Sequence, residues 1–208
     1  MFRRRHDGAT RRGTPSEWLI VGLANPGVEY RDTRHNLGAA VVEELARRAG
    51  ASLRVEPRLR ARLADVVIDG HRVLVAVPTT YVNESGAAVV PLVRRSGLDD
   101  ETRILIVHDE LDLEPGRLQL KTGGGLAGHN GLRSISGALG TDGYSRLRVG
   151  VGKPPSKDRG ADWVLGRPGR DDRAVLDAAV VAGADALEDV VRHGLEEASV
   201  RLNGARGA

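Results

Sequence analysis

The chain has 208 residues, of which 40% are hydrophobic and 28% are charged, a composition typical of one folded domain and not of a disordered chain. Aromatic residues make up only 3%, which argues against RNA binding by aromatic stacking, and the absence of cysteine excludes disulfides, thiolate zinc sites and cysteine nucleophiles. The net charge of +3 permits a nucleic-acid partner without requiring one, and no apolar run approaches the roughly 20 residues of a membrane span.

The N-terminal half of the sequence begins with a basic segment and then a strand. Residues 1–17 lack hydrophobic periodicity, and we expect a flexible basic tail there. The apolar run Trp18–Leu23 is typical of a buried strand, and helical spacing of apolar residues predicts a helix over 36–50. Asn25 and His35 therefore lie on the loop between the first strand and the first helix, where α/β enzymes build sites.

The rest of the chain alternates between strand and helix patterns. The further predicted elements are a hairpin over 60–77 around Asp69-Gly70, a helix over 84–95, strands over 103–108 and 117–121, a glycine loop over 122–131, a helix over 132–139, a strand over 146–151 and a helix over 170–193. This order predicts an α/β fold in a single domain, with a mixed, mostly parallel twisted sheet and helices on both faces. We place the domain at 18–194 and expect a C-terminal tail over 195–208.

Polar residues follow several of the predicted strands. Asn25 and His35 follow the first strand, Asn83 follows the hairpin, Asp109 ends the central strand, and Asn130 begins a helix. Loops at the carboxyl ends of parallel strands gather at one edge of a sheet, so these side chains could converge. A histidine oriented by an aspartate can activate water, and asparagine amides can bind a carbonyl group without adding charge.

Each of these residues also has an ordinary structural explanation. Asn25 before a Pro-Gly pair is common turn chemistry, Asp109 could brace a turn, and Asn130 could be the N-cap of its own helix. His35 and Asp109 lie far apart in sequence, and the pattern alone leaves their contact open.

The glycine-rich run over 123–131 lacks the Gly-Lys-Ser/Thr of a P-loop and the spacing of a dinucleotide fingerprint. We interpret it as a loop that positions a helix start. The basic residues around it could form a phosphate patch or a solvated surface; they are Lys121, Arg146, Arg148, Lys153 and Lys157. The six histidines show no metal-ligand spacing.

Five motifs, in register from about residue 18 to 192, resemble those of the bacterial peptidyl-tRNA hydrolase family. They are residues 20–27 (IVGLANPG), 33–36 (TRHN), 83–86 (NESG), 108–112 (HDELD) and 128–132 (GHNGL). The resemblance implies hydrolysis of the ester between a peptide, or an N-blocked aminoacyl group, and the 3′-terminal ribose of tRNA. It implies no metal and no cofactor, a monomer in the cytoplasm, no membrane contact, and peptidyl-tRNA as the partner, bound through its acceptor stem, 3′ end and 5′-phosphate.

The resemblance also implies roles for individual residues. His35 would be the general base, and Asp109 would hold its imidazole in the right tautomer. Substrate and tRNA contacts would come from Asn25, Tyr30, Tyr81, Asn83, Asn130, Lys121 and Arg148. Within that group, Lys121 and Arg148 would clamp the 5′-phosphate.

The chain departs from the family pattern at three positions: Val82 replaces the usual Met, Ala127 replaces the usual Gly, and Gln119 replaces an often basic residue. These changes affect the pocket wall, the glycine loop and a possible phosphate contact. Two alternatives therefore stay open. One is a catalytically weak or inactive relative that binds tRNA or other RNA, and the other is a His/Asp-dependent esterase for small molecules.

Overall fold

A computed structural model describes residues 15–156 and 159–204 of the chain; residues 1–14 of the predicted basic tail lie outside the described residues. The strands are β1 (Trp18–Gly22), β2 (Arg54–Glu56), β3 (Ala61–Ile68), β4 (His71–Pro78), β5 (Ile104–Glu110), β6 (Leu118–Thr122) and β7 (Ser145–Gly150). The α-helices are α1 (Leu37–Arg48), α2 (Gly86–Ser96), α3 (Asn130–Leu139), α4 (Gly160–Leu165), α5 (Arg170–His193) and α6 (Leu195–Gly204).

The strands form one seven-stranded sheet in the order β2-β3-β4-β1-β5-β7-β6. The central strands β4, β1, β5 and β7 are parallel, whereas β3 and β6 run antiparallel to their neighbours. One hydrophobic core lies under α1 and α5, and a second lies under α2 and α3 on the opposite face. The predicted mixed, mostly parallel sheet with helices on both faces is therefore confirmed.

The β1 strand is buried on both sides, which explains its unbroken apolar sequence. Leu19, Ile20 and Val21 have no exposed surface, as expected for a central parallel strand covered by helices on both faces. Beyond β1, the backbone N–H of Leu23 donates to the Val107 carbonyl at 3.0 Å, and the Ala39 N–H donates to the Leu23 carbonyl at 3.2 Å. These bonds fasten the loop before α1 to the middle of the sheet.

Gly38 is required by this close approach, and we expect Gly38→Ala to lower the free energy of unfolding by about 2–4 kcal/mol. A Cβ at Gly38 would overlap the Val107 carbonyl oxygen and lie 2.8 Å from the Leu23 nitrogen. Urea denaturation measures the change. Gly137→Ala is the matched control, because nothing lies within 4 Å of that helical Cβ and alanine favours the helix, so it should stabilise the protein slightly. Equal stability of the Gly38→Ala variant and the wild type would contradict the steric argument.

The predicted C-terminal tail over 195–208 is corrected for residues 195–204, which form α6. Gly194, at φ +83°, ends α5, and the chain turns back so that α6 packs on β6. The Asn203 side chain accepts a hydrogen bond from the Leu120 N–H at 3.1 Å and donates one to the Leu120 carbonyl at 2.9 Å. Only Ala198 of α6 is fully buried, which explains the weak sequence signal. Residues 205–208 lie outside the described residues.

Two short elements were also not predicted. The three-residue strand β2 extends the hairpin at one edge of the sheet, and α4 lies between the predicted strand over 146–151 and the predicted helix over 170–193. Among the described residues, no helix is both long and apolar enough to cross a membrane.

Candidate active site

The carboxyl ends of β1, β4 and β5 meet at one edge of the sheet, where a cleft of about 470 Å³ opens. Six of the predicted site residues line it: Asn25, His35, Tyr81, Asn83, Asp109 and Asn130. The cleft is also lined by His129 and by residues of α4, among them Val164 and Leu165. The fold thus gathers segments that are far apart in sequence.

His35 and Asp109 form a hydrogen-bonded pair in this cleft. A short 3-10 turn over Arg34–Asn36 carries His35 just before α1, and Asp109 lies near the carboxyl end of β5. His35 Nδ1 lies 2.8 Å from Asp109 Oδ1, and the two side chains are 13% and 2% exposed. Since a carboxylate only accepts, Nδ1 carries the proton and Nε2 keeps its lone pair. Nε2 has no protein partner within the described ranges, so it is free to accept a proton from a molecule in the cleft.

His129 is a second histidine on the same carboxylate oxygen, and its importance was missed from the sequence. Its Nε2 lies 3.2 Å from Asp109 Oδ1, while its Nδ1 accepts hydrogen bonds from the backbone N–H groups of Gly131 and Leu132. His129, and not Asn130, is therefore the N-cap of α3. This arrangement fixes Nε2 as the donor to Asp109.

A third histidine lies behind this cluster. His108 is fully buried, and its Nδ1 donates to the carbonyl of Asp109 at 2.8 Å. Its ring meets the His129 ring edge-on, with the centroids 4.9 Å apart. Burial, aided by neighbouring His129, lowers the pKa of His108 to about 3, so it supports the site as a neutral ring.

The pKa values of His35 and Asp109 are shifted in opposite directions. Burial is the largest influence on His35 and favours its neutral form, but the charge and hydrogen bond of Asp109 outweigh it and raise the pKa of His35 above the ordinary 6.5. Burial would likewise raise the pKa of Asp109, but His35 and His129 hold that pKa well below its usual range. Asp109 is therefore a permanent anion that orients a titratable base.

The same three side chains could be considered as metal ligands. His35, Asp109 and His129 each place one ligand atom within 4.8 Å of the others. However, His129 Nδ1 accepts from two backbone N–H groups, so Nε2 carries the proton and lacks a lone pair for a metal. We interpret the group as a hydrogen-bonded cluster.

The Asn25 amide is held in one orientation beside His35. Its Oδ1 accepts from the Val82 N–H at 2.9 Å, so its Nδ2 is the group left for a ligand. Asn36, next to His35, accepts from the Asn25 N–H at 2.9 Å and donates to the Asn25 carbonyl at 3.0 Å. Asn36 thereby couples the position of Asn25 to that of His35, a role the sequence did not reveal.

Two further amides face the cleft. Asn83 is exposed at the end of the β4–α2 loop, and its side chain makes no hydrogen bond within the described part of the chain. The Asn130 Oδ1 accepts from Arg133 at 3.0 Å, which leaves its Nδ2 available. Three amide N–H₂ groups, from Asn25, Asn83 and Asn130, thus surround the space in front of His35.

Val82 and Ala127, two of the departures from the family pattern, have clear structural settings. Val82 is buried, and a Cβ on Gly131 would lie only 2.7 Å from its Cγ1, so the pocket wall is tightly packed against α3. Ala127 has φ +48°, a left-handed conformation that glycine adopts more readily. The alanine at this position of the glycine loop therefore carries backbone strain.

Two tyrosines stand near the mouth of the cleft. Tyr81 lines it and is 49% exposed, and Tyr30 packs edge-on against Tyr81 with centroids 6.3 Å apart. Tyr30 therefore contacts a residue that lines the cleft, Tyr81, but does not line the cleft itself.

Lys121 and Arg148 lie outside the cleft lining, on β6 and β7. Arg148 contacts the buried Glu110 at 2.8 Å and also donates to Gln119. Its charge is therefore balanced within the protein by Glu110, and the 5′-phosphate clamp of Lys121 and Arg148 that the resemblance implies stays a prediction.

Arg34, beside His35, anchors the turn to the far side of the cleft. Its guanidinium lies 3.9 Å from the ring centre of Trp163 in α4 and 2.8 Å from Asp172 in α5. The Arg34 N–H also donates to the Gly166 carbonyl at 3.3 Å. The helix α4 is thus tied to the segment that carries His35.

A larger cavity of about 660 Å³ lies on the other side of the 25–36 segment. Several of its charged groups, such as Asp32 and Arg173, are already paired with each other, and its lining contains no histidine among the described residues. The smaller cleft is the candidate active site because it holds the His35–Asp109 pair.

Comparisons with known proteins agree with this geometry. The peptidyl-tRNA hydrolase family pattern matches residues 19–208. A peptidyl-tRNA hydrolase of Cutibacterium acnes is 43% identical over 196 residues, which cover 89% of this chain and 98% of the relative. A peptidyl-tRNA hydrolase of Halorhodospira halophila is 48% identical over 169 residues, which cover 81% of this chain and 87% of the relative. A crystal structure of peptidyl-tRNA hydrolase from Acinetobacter baumannii superposes with a TM-score of 0.85 at 40% identity, covering 92% of this chain and 97% of that one.

Proposed function

This chain belongs to the peptidyl-tRNA hydrolase family, and from that membership and its cleft we propose that it hydrolyses the ester between a peptide, or an N-blocked aminoacyl group, and the 3′-terminal ribose of tRNA. The single observation that carries the proposal is the 2.8 Å contact of His35 with Asp109 in a cleft that is also lined by three neutral amides. Such a site suits the hydrolysis of an ester, which needs a general base to activate water and hydrogen-bond donors to the carbonyl oxygen.

His35 Nε2 takes a proton from a water molecule as the water oxygen attacks the ester carbonyl carbon. The carbonyl π electrons move to the oxygen, which becomes an oxyanion. When the intermediate collapses, the bond from the carbonyl carbon to the ribose 3′ oxygen breaks, and the imidazolium of His35 returns the proton to that oxygen. Asp109 remains ionised throughout and stabilises the imidazolium.

The neutral donors around His35 fit the acyl part of this substrate. The free Nδ2 groups of Asn25 and Asn130, together with the Asn83 amide, can donate to the oxyanion and to the peptide carbonyl groups. Tyr81, supported by Tyr30, offers an apolar surface at the mouth of the cleft for the adjoining part of the substrate.

The partner in this proposal is peptidyl-tRNA, bound at its acceptor stem, 3′ end and 5′-phosphate. We also propose that the enzyme acts as a monomer, since a single chain supplies both His35 and Asp109 and needs no second copy to form this pair. Its place of action would be the cytoplasm, where tRNA is used in translation.

Release of N-acetyl amino acid from N-acetyl-aminoacyl-tRNA by the purified protein tests the proposal. We expect turnover with this substrate and much slower cleavage of simple small esters. Tight binding of tRNA without any release would instead support the binding-only alternative. Comparable rates on small esters would support the small-molecule esterase.

The pH dependence of kcat/KM gives a further prediction. Because the neutral form of His35 is the base and its pKa is raised, kcat/KM should rise with pH and level off, with a midpoint above 6.5. The measurement uses N-acetyl-aminoacyl-tRNA between about pH 5 and 9, corrected for spontaneous ester hydrolysis. A profile that is flat, or that falls with pH, would argue against His35 as the base.

A further inference from the structure

The helix α4 forms one wall of the cleft, although it has little packing of its own. It contributes small or apolar residues to the lining, which are Gly160, Ala161, Val164 and Leu165. None of its six residues, all of which the structure describes, is fully buried. A helix of this length is not stable by itself in water, so the position of α4 depends on its contacts with the rest of the domain.

Trp163 provides several of those contacts. Its indole Nε1 donates to the Val151 carbonyl at 3.2 Å and to the Gly152 carbonyl at 3.1 Å, and both of these residues lie just beyond β7. The guanidinium carbon of Arg34 lies 3.9 Å from the centre of the indole ring, within the range of a cation–π contact. Trp163 is therefore held between the end of β7 and the side chain of Arg34.

Arg34 is a buried cation whose charge is balanced within the protein. Its side chain is 5% exposed, and its Nη2 donates to Asp172 at 2.8 Å. Its backbone N–H donates to the Gly166 carbonyl at 3.3 Å, and its Nη1 lies 3.5 Å from the same oxygen. A planar guanidinium can stack on an indole ring while its edge donates hydrogen bonds, which a lysine ammonium cannot do. Arg34 thus joins its own turn to α4, to the residue after α4 and to α5.

Arg34 and His35 are neighbours on one short turn but are attached to different parts of the domain. His35 Nδ1 lies 2.8 Å from Asp109 on β5, whereas the Arg34 side chain contacts Trp163 and Asp172. The proposed base and the α4 wall are therefore fastened to the same turn. Arg34 is not among the described residues that line the cleft, so it acts on a bound substrate only through α4.

We propose that Arg34 is a positioning residue of the hydrolysis, which holds the α4 wall in place beside His35 before the substrate binds. The inference rests on the proposed function, since it concerns the kinetics of that reaction. A wall that is already ordered spares the substrate the entropic cost of ordering it during binding. Because Asp172 neutralises Arg34, the role is to place α4 and not to supply charge to the substrate.

The first test compares Arg34→Met with the wild type on N-acetyl-aminoacyl-tRNA. Methionine keeps an apolar side chain but loses the cation and its hydrogen bonds. We expect KM to rise about tenfold while kcat and the midpoint of the pH–rate profile stay near their wild-type values, because His35 and Asp109 keep their own bond. Arg34→Lys, which keeps the charge but loses the planar stack, should give a smaller rise. Partial unfolding alone would instead lower kcat through loss of active enzyme and leave KM unchanged.

The fluorescence of Trp163 reports on α4 without any hydrolysis. The chain contains two tryptophans, Trp18 and Trp163, so Trp18→Phe leaves only the one in α4. In that background, Arg34→Met should increase the quenching of Trp163 by acrylamide, because the guanidinium no longer covers the ring. If the wild-type protein hydrolyses no ester, the proposed function fails, while this measurement still decides whether Arg34 holds α4.

Arg48→Met is the matched control, because Arg48 also joins its own segment to α5 but lies away from the cleft. It contacts Asp185 at 2.5 Å and the Val181 carbonyl at 3.1 Å, and it is not among the described residues of the cleft lining. Both KM and the quenching of Trp163 should stay at their wild-type values in this variant.

Two substitutions of Trp163 provide a second route if Arg34→Met does not fold. Trp163→Phe keeps a ring beside Arg34 but loses the two bonds to the carbonyls beyond β7, so KM should rise slightly. Trp163→Leu loses the ring as well, so its KM should approach that expected for Arg34→Met. The inference is overturned if Arg34→Met, or Trp163→Leu in its place, shows the wild-type KM. It is also overturned if Arg48→Met raises KM by the same factor.

Discussion

Replacing His35 with alanine is expected to slow hydrolysis of N-acetyl-aminoacyl-tRNA by about 10²- to 10⁴-fold, the contribution of a positioned general base. The substitution removes the Nε2 atom that faces the cleft without a protein partner and leaves the neutral amides of Asn25, Asn83 and Asn130 in place. We therefore expect kcat to fall much more than KM rises. Single-turnover measurement of N-acetyl amino acid release gives both quantities.

The matched control is His193→Ala, because His193 is half-exposed on α5 and pairs with Asp189, away from the cleft. This variant should retain the wild-type rate. If His35→Ala retained the wild-type rate as well, the proposed base would be wrong, even if the family assignment stood.

Asp109→Asn is expected to lower kcat by about 10³- to 10⁴-fold with a small change in KM, by analogy with the loss of the orienting carboxylate in His-based hydrolases. The isosteric amide keeps the shape of a side chain that is only 2% exposed, but it removes the charge that fixes the proton on His35 Nδ1. The raised pKa of His35 depends on that charge. The midpoint of the pH–rate profile should therefore move to lower pH.

Asp112→Asn provides the comparison for this change, since Asp112 is an exposed carboxylate three residues further on that pairs with Lys153. It should leave both kcat and the pH midpoint at their wild-type values. A lower kcat in Asp109→Asn with no movement of the midpoint would mean that Asp109 supports the fold of the site and does not set the charge state of His35.

Much of the fold could be predicted because its central elements carry strong local patterns. The β1 strand is apolar on both faces, and α5 spans Arg170–His193 as its helical spacing predicted, with glycines at both flanks. The helix α6 escaped prediction because its packing depends on Ala198 and on the amide of Asn203, which meets a strand more than 80 residues away. Such long-range contacts leave little periodicity in the local sequence.

The residue types of the candidate site could be predicted, but the hydrogen bonds and ion pairs between them could not. Resemblance to a family supplied His35 and Asp109, and the geometry shows that they touch. The double contact of His129 could not be deduced, because a histidine is not an expected helix N-cap and its partner Asp109 is distant in sequence. The internal pairing of Arg148 was hidden for a similar reason, since Glu110 comes beside it only when β5 and β7 align.

The contact of Asn203 with Leu120 has a consequence for self-association. The strand β6 is the last strand of the sheet, and an open edge strand can recruit a strand from another molecule. Asn203 presents one donor and one acceptor to the backbone of Leu120, as a neighbouring strand would. The helix α6 thereby occupies hydrogen-bonding groups through which two copies of the chain could otherwise join edge to edge, and it protects the protein against β-sheet aggregation at this side.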